Sequence, residues 1–394
     1  MNMIGACWMR RSLGEPISAL LIDSNNRIIA GGWNGILTQW SAEGDELWST
    51  QLPDRVSSIT ISKNGIYVCS GLHLVAINPD NGALLWQHPL EGSADEVTTF
   101  NGLILATSSV YDIEHNDFID SAVWCFDSEG KKIWETHMDE RPWAIVVSNG
   151  QVILGLGRPK MGAAIVDNDG NLTHLNLESK SPVTTGVDTT NGVVFGHANG
   201  ELTSTDGKLW SGSSASISTI CAIDDKHFTI SQDKAVITLN SDFEQKWIEV
   251  MDPISTISSG IIVDGNFTIW AGTLNGSDGL LKVLSQSSGK LISSMSCAKV
   301  TAINSNGKMI AVGDEKGELF VWQDEMFNRR LVSNESTESD EQRQSMRERL
   351  KALRRREYLL VLPNQLSAVP ATSTLILLIF FWDLFVRTIF LFYL

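Results

Sequence analysis

Residues 40–48 read WSAEGDELW: a short polar run with one glycine, Gly44, held between Trp40 and Trp48. The same spacing from glycine to tryptophan returns at Gly82 and Trp86 in NPDNGALLW, and at Gly130 and Trp134 in FDSEGKKIW. Looser copies follow in DNDGNLTH, ending at His174, STDGKLW at Trp210, NSDFEQKW at Trp247 and QSSGKLIS at Ser293. The end positions 48, 86, 134, 174, 210, 247 and 293 are spaced by 36 to 48 residues. A period near 40 marks a repeat architecture, in which one supersecondary unit stacks on the next.

Each period carries the same strand pattern. An alternating apolar run opens it: ISALLID, VSSITIS, EVTTFNG, WAIVVSN, VTTGVDT, ISTICAI, STISSGII and KVTAINS. A turn rich in Asn, Asp or Gly follows, then a second run (RIIAGG, GIYVCSG, QVILGLG, KMIAVGD) and a third (GILTQW, LVAIN, AVWCFD, ELFVWQ). The Gly-x-x-x-Trp turn leads to a fourth. Alternation over five to seven residues between such turns is the signal of short antiparallel strands. Four strands per period of ~40 residues is the blade of a β-propeller. Eight copies of the first run predict eight blades; seven, with one period miscounted, is the alternative. The expected architecture is all-β, with a C-terminal helical tail. The last blade shows three clear strands, and its fourth is either FNRRL (327–331) or the N-terminal ACWMRRSL. Trp8 lies 40 residues before Trp48, which suits an N-terminal strand that closes the ring and removes an open edge.

Thirteen tryptophans need a repeated use. Gly44 supplies a positive φ for the turn between third and fourth strands. Trp48 is expected to lie against the next blade, with Trp40 serving the same interface from the other side. A tryptophan buries roughly 150–250 Å², which at ~25 cal/mol per Å² holds neighbouring sheets together.

The pattern resembles two related propeller families. NPDNGALLWQHPL looks like the PQQ-like repeat of quinoprotein-type propellers, and GGWNGILTQW and GDEKGELFVWQ look like the third-strand region of WD40 repeats. The resemblance covers roughly residues 4–331 and implies the fold; propellers host scaffolds, receptors and enzymes alike. No period has the Gly-His and Trp-Asp pair of a regular WD40 repeat. The adjacent Cys-Cys pair that quinoprotein dehydrogenases use is absent as well, so no quinone cofactor is expected.

Charge and cysteines narrow the function classes. The net charge is −16, and the first 328 residues hold 20 basic against 39 acidic residues. An acidic body repels phosphate backbones, which argues against nucleic acid as a partner. The five cysteines are far apart and form no C-x-x-C, as expected for free thiols in a reducing compartment. The first residues, MNMIGACWMRRSLGEP, hold no apolar run of signal-peptide length, and the expected location is cytoplasmic.

No catalytic, cofactor-binding or metal-binding constellation stands out among the sequence motifs. The informative positions are those that break the repeat. The connections between second and third strands are long at 108–121, 157–162 and 273–279. These connections open on one face of a propeller, and insertions gathered on one face mark a binding side. The candidate partner-binding residues are Trp33, Tyr111, Asp112, Glu114, Arg141, Trp143, Arg158 and Lys160. Aromatics and Arg are frequent interface hot spots, although Trp33 and Trp143 could instead pack between blades. Asp112, Glu114, Asp117 and Asp120 with His115 read either as a cation or basic-partner site or as a solvated loop; the spacing is no EF-hand. The reading is a non-catalytic propeller scaffold that binds other proteins. The alternative is a propeller enzyme with a ligand, metal or quinone at the mouth of the central channel.

The propeller is expected over 1–331, an acidic linker over 332–342 and a charged amphipathic or coiled-coil-like helix over 343–361. Residues 375–394, within a tail segment 371–394, are apolar at 17 of 20 positions, the length of a bilayer span. Asp383 and Arg387, four apart, nearly offset the insertion gain of roughly 0.3 to 0.6 kcal/mol per apolar residue unless they pair. With Arg354, Arg355 and Arg356 just before it, the segment reads as a C-terminal anchor on the cytoplasmic face of a membrane; an end read out of frame is the rival.

Overall fold

The computed structural model describes residues 3–276 and 278–335, with side chains to Arg330. Among them 32 strands form eight four-stranded antiparallel sheets, so the ring has eight blades. Blades 1 to 7 each take four consecutive strands; blade 1, for example, is Ile17–Ile22, Ile28–Gly32, Ile36–Trp40 and Glu46–Gln51. Blade 8 takes Val300–Ser305, Met309–Asp314 and Glu318–Gln323 from the end of the propeller and Met9–Ser12 from its start. The N-terminal strand therefore closes the ring, pairing Met9 with Val321 and Ser12 with Glu318. The FNRRL segment lies instead in helix α2, Asp324–Glu335. The short helix α1, Met3–Ala6, reinforces the closure, because its Met3 carbonyl accepts the indole N–H of Trp322 at 3.0 Å. The propeller unit is Met1–Leu331. The expected helix over 343–361 and the apolar segment 371–394 fall outside the described residues, and among the described residues no helix is long and apolar enough to cross a membrane.

The core is distributed. Eight apolar clusters each join one blade to the next; Trp48, Val56 and Val68 lie in the cluster of blades 1 and 2, and Val183 and Phe195 in that of blades 4 and 5. The fourth-strand tryptophans make the outer part of these joints. Trp48 donates its indole N–H to the carbonyl of Pro79, Trp86 to Ser128, Trp134 to Asn168 and Trp247 to Gln286, each in the following blade's third-to-fourth turn. Each ring also lies on that turn's glycine. A Cβ on Gly82 would stand 2.6 Å from the Trp48 ring, and Gly130, Gly170 and Gly289 meet Trp86, Trp134 and Trp247 in the same way. The glycine is thus demanded twice, by its φ of 70° at Gly82 and by the ring seated on it. Trp8 extends the series across the closure by donating to Ala42 at 2.8 Å. Trp40 differs from expectation: it packs with Met9, Ile17 and Met309 at the joint with the preceding blade.

The series also decays visibly. His174, which replaces the blade 4 tryptophan, is exposed and does not fill its place, and Gly207 in the next turn has open space above it. In blade 6 Phe243 occupies the glycine position at φ 64° and packs on Phe228 at 5.6 Å. The blade 5–6 joint there uses Lys208, which donates to Ser241 O at 2.9 Å.

The inner part of the joints rests on a second rule. Every first strand shifts register near its start. The residue at the shift is small and hydroxylic in six blades: Ser18, Ser57, Thr184, Ser218, Ser255 and Thr301. A bulge there turns that side chain toward the neighbouring blade. Ser18 donates to Val56 O, Ser57 to Ala94 O, Thr184 to Ile217 O and, across the closure, Thr301 to Ile17 O, at 2.6 to 2.8 Å. Glycines on second strands let the blades approach: a Cβ on Gly31 would lie 2.4 Å from Val56, and one on Gly313 2.5 Å from Ile17. The five cysteines are free, and burial raises their thiols, Cys221 to about 12 and Cys7, Cys125 and Cys297 to about 11. They are unreactive as nucleophiles at neutral pH.

Candidate protein-docking face

Two blades break the hydroxyl rule at the bulge. Blade 3 has Asp95 and Glu96 at its register shift, and blade 4 has Trp143. Both positions lie at the mouth of the central channel, on the face that carries the blade-to-blade and second-to-third-strand connections. A cavity of about 530 Å³ opens there, lined among others by Arg55, Ser57, Asp95, Glu96, Trp143 and Thr184, from the connections and first strands of blades 2 to 5.

Arg141 organises the site. It belongs to the connection from blade 3 to blade 4, and its guanidinium carbon stands 4.0 Å from the centroids of both Phe118 and Trp143. The two rings meet edge to face at 5.8 Å, and Tyr111 meets Phe118 edge to face at 5.1 Å. Arg141 Nη2 donates to Asp95 Oδ1 at 2.8 Å, and Asp95 also accepts hydroxyl bonds from Ser93 and Ser109. Burial lowers the Arg141 pKa, opposed by Asp95 and Glu96, but an arginine stays charged at neutral pH. Cation–π contacts of this kind are worth ~0.5–2 kcal/mol each, more as they are desolvated. On another side of the mouth Arg55 lies over Trp33, 3.9 Å from the ring centroid. Trp33 and Trp143 remain 47% and 42% exposed, so neither packs between blades.

The blade 3 insertion is an extension of the strands themselves. Leu103–Asp112 and Asp117–Phe126 form a hairpin of ten-residue strands that carries Ile113, 86% exposed, at its tip. Asp112 and Glu114 sit at that tip. Asp112 Oδ2 meets His115 Nδ1 at 2.6 Å, and this bond, with backbone N–H groups, holds its carboxyl below the ordinary value. Arg158 stands 4.0 Å from Asp117, tying the blade 4 loop to the hairpin. Lys160 turns the other way, its Nζ 3.5 Å from Glu140, whose fully buried carboxylate has no hydrogen bond.

The eight candidate residues are therefore on one face but in unlike roles. Tyr111, Arg141 and Trp143 join one cluster through Phe118, Trp33 stacks with Arg55 of the same mouth, Asp112 and Glu114 are at the hairpin tip, and Arg158 and Lys160 make ion pairs. The acidic stretch does not act as one site. Asp112 pairs with His115 and Asp117 with Arg158, while Asp120 faces His137 Nδ1 at 3.3 Å with Glu91 near the same ring at 4.0 Å. The ligand atoms of Glu91, Asp120 and His137 lie within 4.8 Å of one another on an exposed edge. Sequence reasoning missed Phe118, Arg55, Asp95 and Glu96. A signal was present for the last two: aligned first strands place Ser or Thr at the bulge in six blades, and a carboxylate or indole there stands out.

The ring of four-stranded blades, the turn glycines and the fourth-strand tryptophans define a PQQ/WD40-type β-propeller. The chain belongs to the family described as outer membrane protein assembly factor BamB, a PQQ-repeat family that matches residues 6–142 and 73–265. Solved structures with the same fold include BamB from Moraxella catarrhalis, at 16% identity, a TM-score of 0.63, and coverage of 80% of this chain and 97% of that one. The computationally designed Ika8 protein is similar at 16% identity and a TM-score of 0.63, over 79% of this chain and 98% of its own. Sqt1 of Saccharomyces cerevisiae is similar at 12% identity and a TM-score of 0.64, over 80% and 97%. No curated protein matches the chain.

Proposed function

We propose that this chain is a non-catalytic propeller scaffold that docks other proteins on its channel-mouth face, between blades 3 and 4. The observation that carries the reading is Trp143. It stands at a bulge where six other blades place a small hydroxyl, it is exposed, and an arginine fixes its orientation from behind. A preset, exposed aromatic beside an arginine has the character of an interface hot spot. The description of the family as an assembly factor agrees with a docking role. The test is chemical crosslinking and mass spectrometry of pull-downs from cells. Partners held by the wild-type chain should be lost with Trp143→Ser and reduced with Trp33→Ala; an unchanged set of partners with both variants would remove the reading.

The tail adds a second element. The propeller works at the cytoplasmic face of a membrane, tethered through 375–394 and oriented by Arg354, Arg355 and Arg356. The support is the 17 apolar residues in 20 and the basic cluster beside them. Fractionation tests it: the full-length chain should pellet with membranes, and a chain ending at Tyr358 should stay soluble.

A further inference from the structure

Four charged side chains line the channel mouth, and three of them are committed. Arg141 sits in the corner formed by Phe118 and Trp143 and is paired with Asp95. Asp95 also receives Ser93 and Ser109. Arg55 lies on Trp33 at the rim. Glu96 is different: its side chain is exposed to the channel, its hydrogen bond is from the Ser58 hydroxyl at 3.0 Å, and among the described residues no Lys or Arg nitrogen comes within 4.0 Å. The exposed cations of this face have carboxylate partners of their own, Arg158 with Asp117 and Lys160 with Glu140. Glu91, Glu114, Asp120 and Asp139 border the blade 3 side without a Lys or Arg partner among the described residues, and the body of the chain is strongly acidic.

We propose, resting on the docking reading above, that the partner presents a basic segment and inserts one Lys or Arg side chain into the channel mouth to pair with Glu96. The cavity has the size of a side-chain or small-ligand pocket. Trp143, with Phe118 and Tyr111 behind it, forms the apolar shelf over which the segment lies. The acidic surroundings steer it in, because complementary potentials raise association rates and reject wrong partners. The dense protein around Glu96 raises its carboxyl above the ordinary value, against the Ser58 bond. A cation delivered into the mouth would give Glu96 the direct ion pair it lacks, beyond the longer-range attraction of Arg141 that already opposes the effect of burial.

The test selects binders from a phage-displayed library of random decapeptides on the full-length protein and measures the resynthesised, fluorescein-labelled peptides by anisotropy. The selected peptides should share a Lys or Arg, and its replacement by norleucine should weaken binding by at least roughly tenfold. E96Q should bind the basic and norleucine peptides about equally, and E96K should prefer the peptide with Glu at that position; circular dichroism confirms that both variants fold. Selection without a basic residue, or the same preference in wild type and E96Q, overturns the inference while leaving protein docking intact. A library that yields no binder overturns both. Spermine or N-acetylargininamide displacing the peptide at its own affinity would also overturn it, by assigning the mouth to a small cation.

Discussion

Trp48 and Trp143 are the same residue type used in two ways. Trp48 is 7% exposed, lies on Gly82 of the next blade and donates to Pro79 O. Trp143 is 42% exposed, leans on Arg141 and Phe118, and has no counterpart in the other blades. The first recurs at Trp86, Trp134 and Trp247, each with a glycine seat in the following turn. The second stands alone where the repeat calls for a hydroxyl. A side chain that recurs with its seat contributes to the joint, whereas one that breaks the series at an exposed bulge is free for another task.

The largest effect should separate the two tryptophans most sharply. Trp48→Ala leaves a cavity between blades 1 and 2 and is expected to cost about 3–5 kcal/mol, seen as a lower urea midpoint with peptide binding retained once folded. Gly82→Ala should lower the thermal midpoint for both reasons given above, while Gly207→Ala, with φ of 88° but no ring above it, should lose only the backbone share of about 1 kcal/mol. A Gly207→Ala loss as large as that of Gly82→Ala would break the idea that the seat matters. Trp143→Ser restores the residue type of the other blades. Its unfolding midpoint should move by no more than about 1 kcal/mol, whereas partner binding should lose about 2 kcal/mol or more. Ser57→Ala leaves the Ala94 carbonyl without its hydroxyl donor and should cost about 0.5–1.5 kcal/mol by urea unfolding.

The smallest effect concerns Glu96. Its folded pKa lies above the ordinary 4.5. A raised carboxyl favours the fold while protonated, and this contribution is lost as pH rises from about 4.5 through the raised value. E96Q should therefore melt slightly higher than wild type at pH 7, and the gap should close below pH 4.5. A gap that persists unchanged at pH 4 would show that Glu96 is not held at a cost in the free protein. A stability gain on removing a binding group is the expected sign at a functional position.

Most of the propeller was legible because its determinants are local. Alternating strands, turn glycines and the tryptophan spacing all act within a few residues, and the count of eight blades followed from their repetition. The candidate site was legible only as a face. Loop lengths pointed to it, but the partner of each side chain did not follow from them. Arg141 meets Asp95, 46 residues earlier, through the curvature of adjacent blades. The acidic loop looked like one cluster because its residues are close in sequence; the long hairpin instead spreads them out, with Asp117 beside Arg158 of blade 4 and Asp120 beside His137 of its own blade.

The sequence by itself determined the repeat, the four strands of each blade and the turns that need glycine, since backbone conformation is set by neighbours a few residues away. The tertiary structure decided which tryptophans are buried, which chain end completes blade 8 and which carboxylate is left without a cation. Those outcomes depend on contacts between one sheet and the next, from residues about 40 or about 300 positions apart in the chain, and such contacts exist only once the blades have stacked and the ring has closed.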